Sequence, residues 1–225
     1  MKETSSGGID AWPNDDYLNI WVCDLGGGLL GYATPPSNWI GSNDGVVVGY
    51  KYFGNSNHTP YHKGRTATHE VGHWLNLEHI WGDNYCGNDQ VSDTPKHEQD
   101  NYGCPSFPKS SSCTGTGNNG EMFMNYMDYT NDACMNLFTN GQKTRMLAAI
   151  NLYRSNMLTN NCEGSVGLNE NTNNNKTLVK IVDVLGRITS EKQTNTCVNQ
   201  EQRPAKPRMI PKALSILVPP FTFFV

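Results

Sequence analysis

No stretch of this 225-residue chain approaches the roughly 18 to 20 consecutive apolar residues that span a bilayer as a helix. The opening Met1-Lys2-Glu3-Thr4-Ser5-Ser6 also lacks the apolar core of a signal peptide. The sequence therefore predicts no membrane span, and either a cytosolic chain or one whose targeting segment is missing. Basic clusters are absent too. The 17 Lys and Arg residues are scattered, the net charge is -4 and the pI is near 5.8, which argues against nucleic acid as a partner. No cysteine pair has the C-x-x-C spacing of a zinc knuckle or thioredoxin-like site. The length allows one domain with a sizeable core and appendages rather than two full domains. Nothing in the pattern assigns an oligomeric state.

Seven cysteines are present nonetheless. Cys86, Cys104, Cys113 and Cys134 fall in a segment rich in Gly, Asn, Ser and Pro that has little capacity for its own core, so disulfides are the expected restraint. Because disulfides persist in oxidising compartments, the expected location is secreted or at the cell surface. Cys23 and Cys162 are candidates for a third bridge, and Cys197 has no assigned partner.

Residues 17–23 alternate and are rich in β-formers, which predicts a strand, followed by a turn at Gly26-Gly27-Gly28. Residues 29–33 and 45–50 predict two more strands, and a helix starts near Thr66. Residues 81–130 are turn formers without a sustained period, and a loop region of that length is usually functional or ion-stabilised. Thr139-Asn140-Gly141-Gln142 fits a capping box, and Met146, Leu147, Ile150 and Tyr153 supply an apolar face, so residues 140–157 are expected to be helical. The domain should occupy residues 1–163. Residues 164–176 read as a linker, since 169–176 hold five asparagines among eight residues. Residues 177–193 open strand-like, and 194–225 show no coherent pattern, which predicts poor order.

The most informative stretch is His69-Glu70-Val71-Gly72-His73-Trp74-Leu75-Asn76-Leu77-Glu78-His79. On a helix, His69 and His73 share a face, so both rings reach one ion. Glu70 lies one step round, beside an open coordination position, where a carboxylate accepts a proton from water on the ion without being a ligand. His79 cannot share that face if the helix continues, so the chain must turn. Asn76 is the expected breaking point, because Asn readily adopts the left-handed conformation that ends helices. The pattern predicts a catalytic zinc site and a metallopeptidase. His58, His62 and His97 are expected at the surface, and Trp74 and Trp81 in the core.

The motif is similar to the H-E-x-x-H-x-x-G-x-x-H signature of metzincins, with Asn76 in place of Gly. Asn125-Tyr126-Met127-Asp128-Tyr129 resembles their Met-turn, with Met127 as an apolar floor under the ligands. The resemblance narrows to the pappalysin family, in particular its ulilysin-like and cytophagalysin-like bacterial members. It rests on Gly64-Arg65-Thr66, residues 69–83 ending His79-Ile80-Trp81-Gly82-Asp83, Val91-Ser92-Asp93-Thr94-Pro95, Gly103-Cys104-Pro105, residues 124–129 and Phe138-Thr139-Asn140-Gly141-Gln142, and runs from about Leu18 to Cys162. It implies an α+β metzincin zinc-protease fold: a twisted sheet and active-site helix in an upper subdomain, over a loop-rich lower subdomain with a C-terminal helix. It also implies Tyr129 as a hydrogen-bond donor to the tetrahedral intermediate, and Asp132 at the bottom of the pocket after the scissile bond, hence cleavage before Arg or Lys. The implied disulfides are Cys86–Cys113 and Cys104–Cys134. Calcium is implied at Asp89, Ser92 and Thr94. Family catalytic domains carry more chain before the first strand, which predicts an N-terminal truncation. Residues 177–193 resemble the opening of a type IX secretion sorting domain.

The expected function is thus a secreted zinc endopeptidase acting on protein or peptide substrates. His69, His73 and His79 hold zinc, Glu70 is general base and then acid, and the substrate backbone lies antiparallel to the strand at 45–50. An inactive metzincin-like binding module that keeps zinc without turnover is the alternative. A purely structural zinc site is disfavoured, because such sites normally take four protein ligands and the motif offers three.

Overall fold

In the computed structural model, which describes residues 1–159 and the strand Lys212–Ile216, four strands form one sheet in the order β2-β3-β1-β4. β1 is Leu18–Cys23, β2 Gly31–Ala33, β3 Val46–Gly49 and β4 Lys212–Ile216. β1 and β3 run parallel, with Ile20 opposite Val46, while β2 and β4 are antiparallel to their neighbours. Strand alternation divides the side chains. Leu18, Ile20, Val46 and Val48 face a core completed by Ala67, Trp74, Leu75, Leu77, Ile80, Met127, Met146 and Ile150. Trp21, Cys23 and Val47 face the other way, under Ala11 and Leu25. The mixed α+β architecture matches the expected class. Among the described residues no helix is long and apolar enough to cross a membrane.

β4 lies in the segment read as patternless. Its pairing with β1, Leu18 opposite Ile216 and Val22 opposite Lys212, occupies a row of main-chain groups that would otherwise form an open edge. The predicted linker, the strand-like segment at 177–193, and Cys162 and Cys197 lie outside the described residues, and so does any bridge to the buried Cys23.

Helix α1 (Arg65–Trp74) lies against the sheet and carries His69 and His73. It ends in a Schellman motif. Leu77 N–H donates to Gly72 O at 2.9 Å and Asn76 N–H to His73 O at 2.9 Å, with Asn76 at φ 71°. Asn76→Gly should leave stability unchanged or raise it slightly, whereas Asn76→Val should cost about 1–2 kcal/mol by forcing a β-branched residue into the left-handed region. Thermal unfolding checks both, and a Val variant as stable as the parent would contradict the role given to this turn.

α2 (Asn140–Tyr153) carries the full capping box at Thr139 and Gln142, but it stops four residues before the expected end at 157. Arg154 leaves the helix at φ -136°. Its guanidinium turns inward, donating to Asp44 at 2.6 and 2.9 Å and lying 3.8 Å above the Trp74 ring. Trp74 Nε1–H donates to the same carboxylate at 2.9 Å. The buried stripe of α2 is Gln142, Met146, Ala149 and Ile150, so Leu147, one position round the helix, is 39% exposed and does not belong to the apolar face assigned to it. A short α3 (Asn156–Thr159) follows.

Candidate active site

One helix and the turn that follows it bring three histidines together. His69 and His73 project from α1, and the turn after Asn76 returns His79 to them. His73 Nε2 lies 3.1 Å from both His69 Nε2 and His79 Nε2. Each opposite ring nitrogen faces an acceptor: Tyr126 O for His69 at 2.7 Å, Leu77 O for His73 at 2.8 Å, and Asp83 Oδ1 for His79 at 2.6 Å. Nδ1 is therefore the protonated nitrogen in all three, and three Nε2 lone pairs point at one another. Such a cluster repels itself unless a cation lies between. Zinc–nitrogen bonds of about 2.0–2.1 Å in a tetrahedron place ligand nitrogens roughly 3.3 Å apart, close to the two separations from His73, and all three ligand atoms lie within 4.8 Å of one another. Burial and mutual repulsion push His69 well below its ordinary pKa and His73 down to about 4, which keeps both rings neutral and able to ligate.

Glu70 is buried one step round α1. Burial raises its carboxyl to about 8, so it is mostly protonated near neutral pH until a cation beside it favours the charged form. It packs on β2: a Cβ at Gly31 would lie 3.2 Å from Glu70 Oε1. Tyr129 Oη lies 2.9 Å from His79 Nε2, at the rim of the same cluster, and burial raises its hydroxyl to about 12, so it remains a donor.

The floor is Met127, fully buried, its sulfur 2.4 Å from where a Cβ on Gly72 would stand. Gly72 is therefore what lets the Met-turn press against α1. Asn125 holds that turn. Its Oδ1 accepts from Met127 N–H at 2.9 Å, and its amide exchanges two hydrogen bonds with Gln142, the residue that also completes the α2 capping box. Asp128 supports the other side, accepting from the main-chain N–H of Asn101 at 2.7 Å and of Tyr129 at 2.8 Å.

The loop-rich lower half is held by Cys86–Cys113 and Cys104–Cys134, with Cα separations of 5.4 and 5.7 Å. A buried polar network does the rest. Asn101 donates to Glu121 and Asp128, Lys109 pairs with Glu121, and His97 Nε2 accepts from Met122 N–H at 2.9 Å. His97 is fully buried, not at the surface as expected. Trp74 is core as expected, but Trp81 also stacks flat on His79, centroids 4.3 Å apart. Asp93, which sequence reasoning left unassigned, accepts from Thr139 Oγ1 and Gly141 N–H at the start of α2, where its charge suits the helix dipole.

Asp132 is buried near the start of α1, where Oδ2 accepts from Lys63 N–H at 2.6 Å and Arg65 N–H at 3.3 Å. Among the described residues Oδ1 accepts no hydrogen bond. Asp89 is also buried: Oδ1 accepts from Val91 N–H and Thr94 Oγ1, while Oδ2 has no partner. Ser92 is exposed, and no hydrogen bond joins it to Asp89 among the described residues. The strand at 45–50 does not offer an edge to substrate, because β3 is paired on both sides; the open edge next to Glu70 is that of β2.

Residues 5–151 match the peptidase family described as pregnancy-associated plasma protein-A. The chain belongs to that family, the pappalysins. An extracellular metalloprotease of Uncinocarpus reesii is 42% identical over 143 residues, 61% of this chain and 49% of that protein. Extracellular metalloprotease 1 of Coccidioides posadasii is 41% identical over 144 residues, 61% of this chain and 51% of that one. Mature mirolysin of Tannerella forsythia, solved in complex with a cleaved peptide, is 57% identical with a TM-score of 0.61, over 64% of this chain and 56% of that one. The chain spans about half the length of the curated relatives it matches.

Proposed function

We propose that this pappalysin is a secreted zinc endopeptidase that cleaves before Arg or Lys. The observation that carries the reading is the convergence of three Nε2 atoms from rings whose Nδ1 nitrogens each face an oxygen acceptor. Bound zinc supplies Lewis acidity and lowers the pKa of water to about 7. Glu70 takes the proton from the attacking water and returns it to the leaving amine. Tyr129 Oη donates to the oxygen on which negative charge develops. The main chain of the substrate pairs with the open edge of β2, which sets the scissile bond beside Glu70. Secretion is supported by the extracellular relatives and by the two disulfides.

The specificity assignment rests on Asp132. Oδ2 is committed to two main-chain donors that fix the carboxylate, and Oδ1 remains for a basic side chain. Mapping cuts in a peptide library should show cleavage before Arg and Lys that vanishes on chelation. Asp132→Asn, which keeps the acceptor for Lys63 and Arg65, should lower kcat/KM for those sites by roughly 10- to 100-fold, the worth of a charge-assisted hydrogen bond. Cuts without basic preference would remove the role of Asp132, and zinc uptake without any cut would favour a binding module. The same reading puts calcium at the Asp89 turn, supported by the buried, unpartnered Oδ2 and by Thr94, with Ser92 as the third oxygen.

A further inference from the structure

The third histidine differs from the other two in what holds it. His69 and His73 donate to main-chain carbonyls, whereas His79 donates to the Asp83 carboxylate. That contact joins residues four apart outside any helix. Gly82 and Asp83 both take left-handed conformations, φ 63° and 54°, after Gly82 N–H donates to His79 O at 2.8 Å. Two such residues in succession fold the chain back so that Asp83 returns to the ring. Gly82 is required there, since a Cβ would stand 2.3 Å from the Asn88 nitrogen, while Asp tolerates the region better than most residues. Trp81 covers one face of the same imidazole, and the Cys86–Cys113 bridge ties the turn down three residues later.

We propose that Asp83 is a positioning residue of the metal site. Its carboxylate holds His79 in the tautomer and ring angle that present Nε2 to the ion, and its charge strengthens the imidazole as an electron-pair donor. The assignment rests on the zinc reading above. As an ion pair alone the contact adds little to folding, because the Asp83 side chain is 62% exposed. Its weight falls on the ligand.

Zinc affinity measured by competition with a chromophoric chelator, together with the visible spectrum of the cobalt-substituted protein, tests this. Asp83→Ala should weaken zinc roughly 10- to 100-fold and change the cobalt bands, with Asp83→Asn between it and the parent. The metal-free Asp83→Asn protein, whose side chain tolerates the left-handed conformation as Asp does, should match the thermal midpoint of the parent. Variants that bind zinc indistinguishably from the parent, with superimposable cobalt spectra, would overturn the assignment. Weaker zinc binding by Asp83→Asn matched by an equal loss of metal-free stability would overturn it as well, in favour of a structural role. A parent protein that takes up no zinc would remove the zinc reading itself and this one with it.

Discussion

Glu70→Gln is expected to lower peptide hydrolysis by about 10²- to 10⁴-fold, the usual contribution of a general acid–base, while zinc remains bound. The amide keeps the shape of the carboxylate against Gly31 but accepts no proton from water. Binding should survive because none of the three histidine contacts that orient the ligands passes through Glu70. Folding should not suffer either. Burial raises this carboxyl to about 8, so the native state holds its proton more tightly than the unfolded chain does, and ionising it costs stability from its ordinary pKa of 4.5 up to about 8 in the metal-free protein. A neutral Gln avoids that cost. Zinc content by atomic emission and turnover on a basic peptide decide the matter. Undiminished turnover would refute the mechanism, and loss of zinc with turnover would recast Glu70 as part of the metal's support.

Asp44→Asn should destabilise the protein by about 3–5 kcal/mol, because it leaves the buried Arg154 charge without its counter-charge. At roughly 2–4 °C of thermal midpoint per kcal/mol for a chain of this size, the fall should exceed that of any surface substitution. Arg154 Nε is already buried and unpartnered, so the guanidinium has no spare compensation. Replacing both residues by Leu should recover part of the loss, short of the parent, since Trp74 Nε1–H would still lack its acceptor. An Asp44→Asn midpoint within the scatter of surface variants would show that the pair is screened, and that α2 is held by its buried stripe and by the Gln142 and Arg145 hydrogen bonds.

The cluster of three histidines was legible because their spacing is local: four residues on a helix and six across a turn leave few ways to arrange three rings. Asn76 was readable for the same reason, since left-handed tolerance belongs to the residue itself. The Thr139 and Gln142 capping box was also local. What sequence patterning missed is what distant segments decide. Leu147 fits an apolar stripe as well as Ala149 does, and only the direction from which the core meets α2 separates them. His97 stands among polar neighbours, yet it is buried because Met122 N–H needs its acceptor. The pattern predicts a helix through residue 157, but Arg154 breaks it for a carboxylate 110 positions earlier. The alternating pattern marks residues 45–50 as a strand but not whether its edge is free, because strand order is a long-range property.

By itself, then, the sequence determined the three-histidine cluster and the turn that completes it, because histidine spacing, helix period and left-handed tolerance are properties of a few adjacent residues. The tertiary structure alone decided which strand edge lies open beside Glu70, that Asp44 and Arg154 clamp the helices, and that Asp83 holds His79 through a turn of two left-handed residues. Those outcomes depend on which groups lose water and which find partners when distant segments meet, and local pattern carries no record of that.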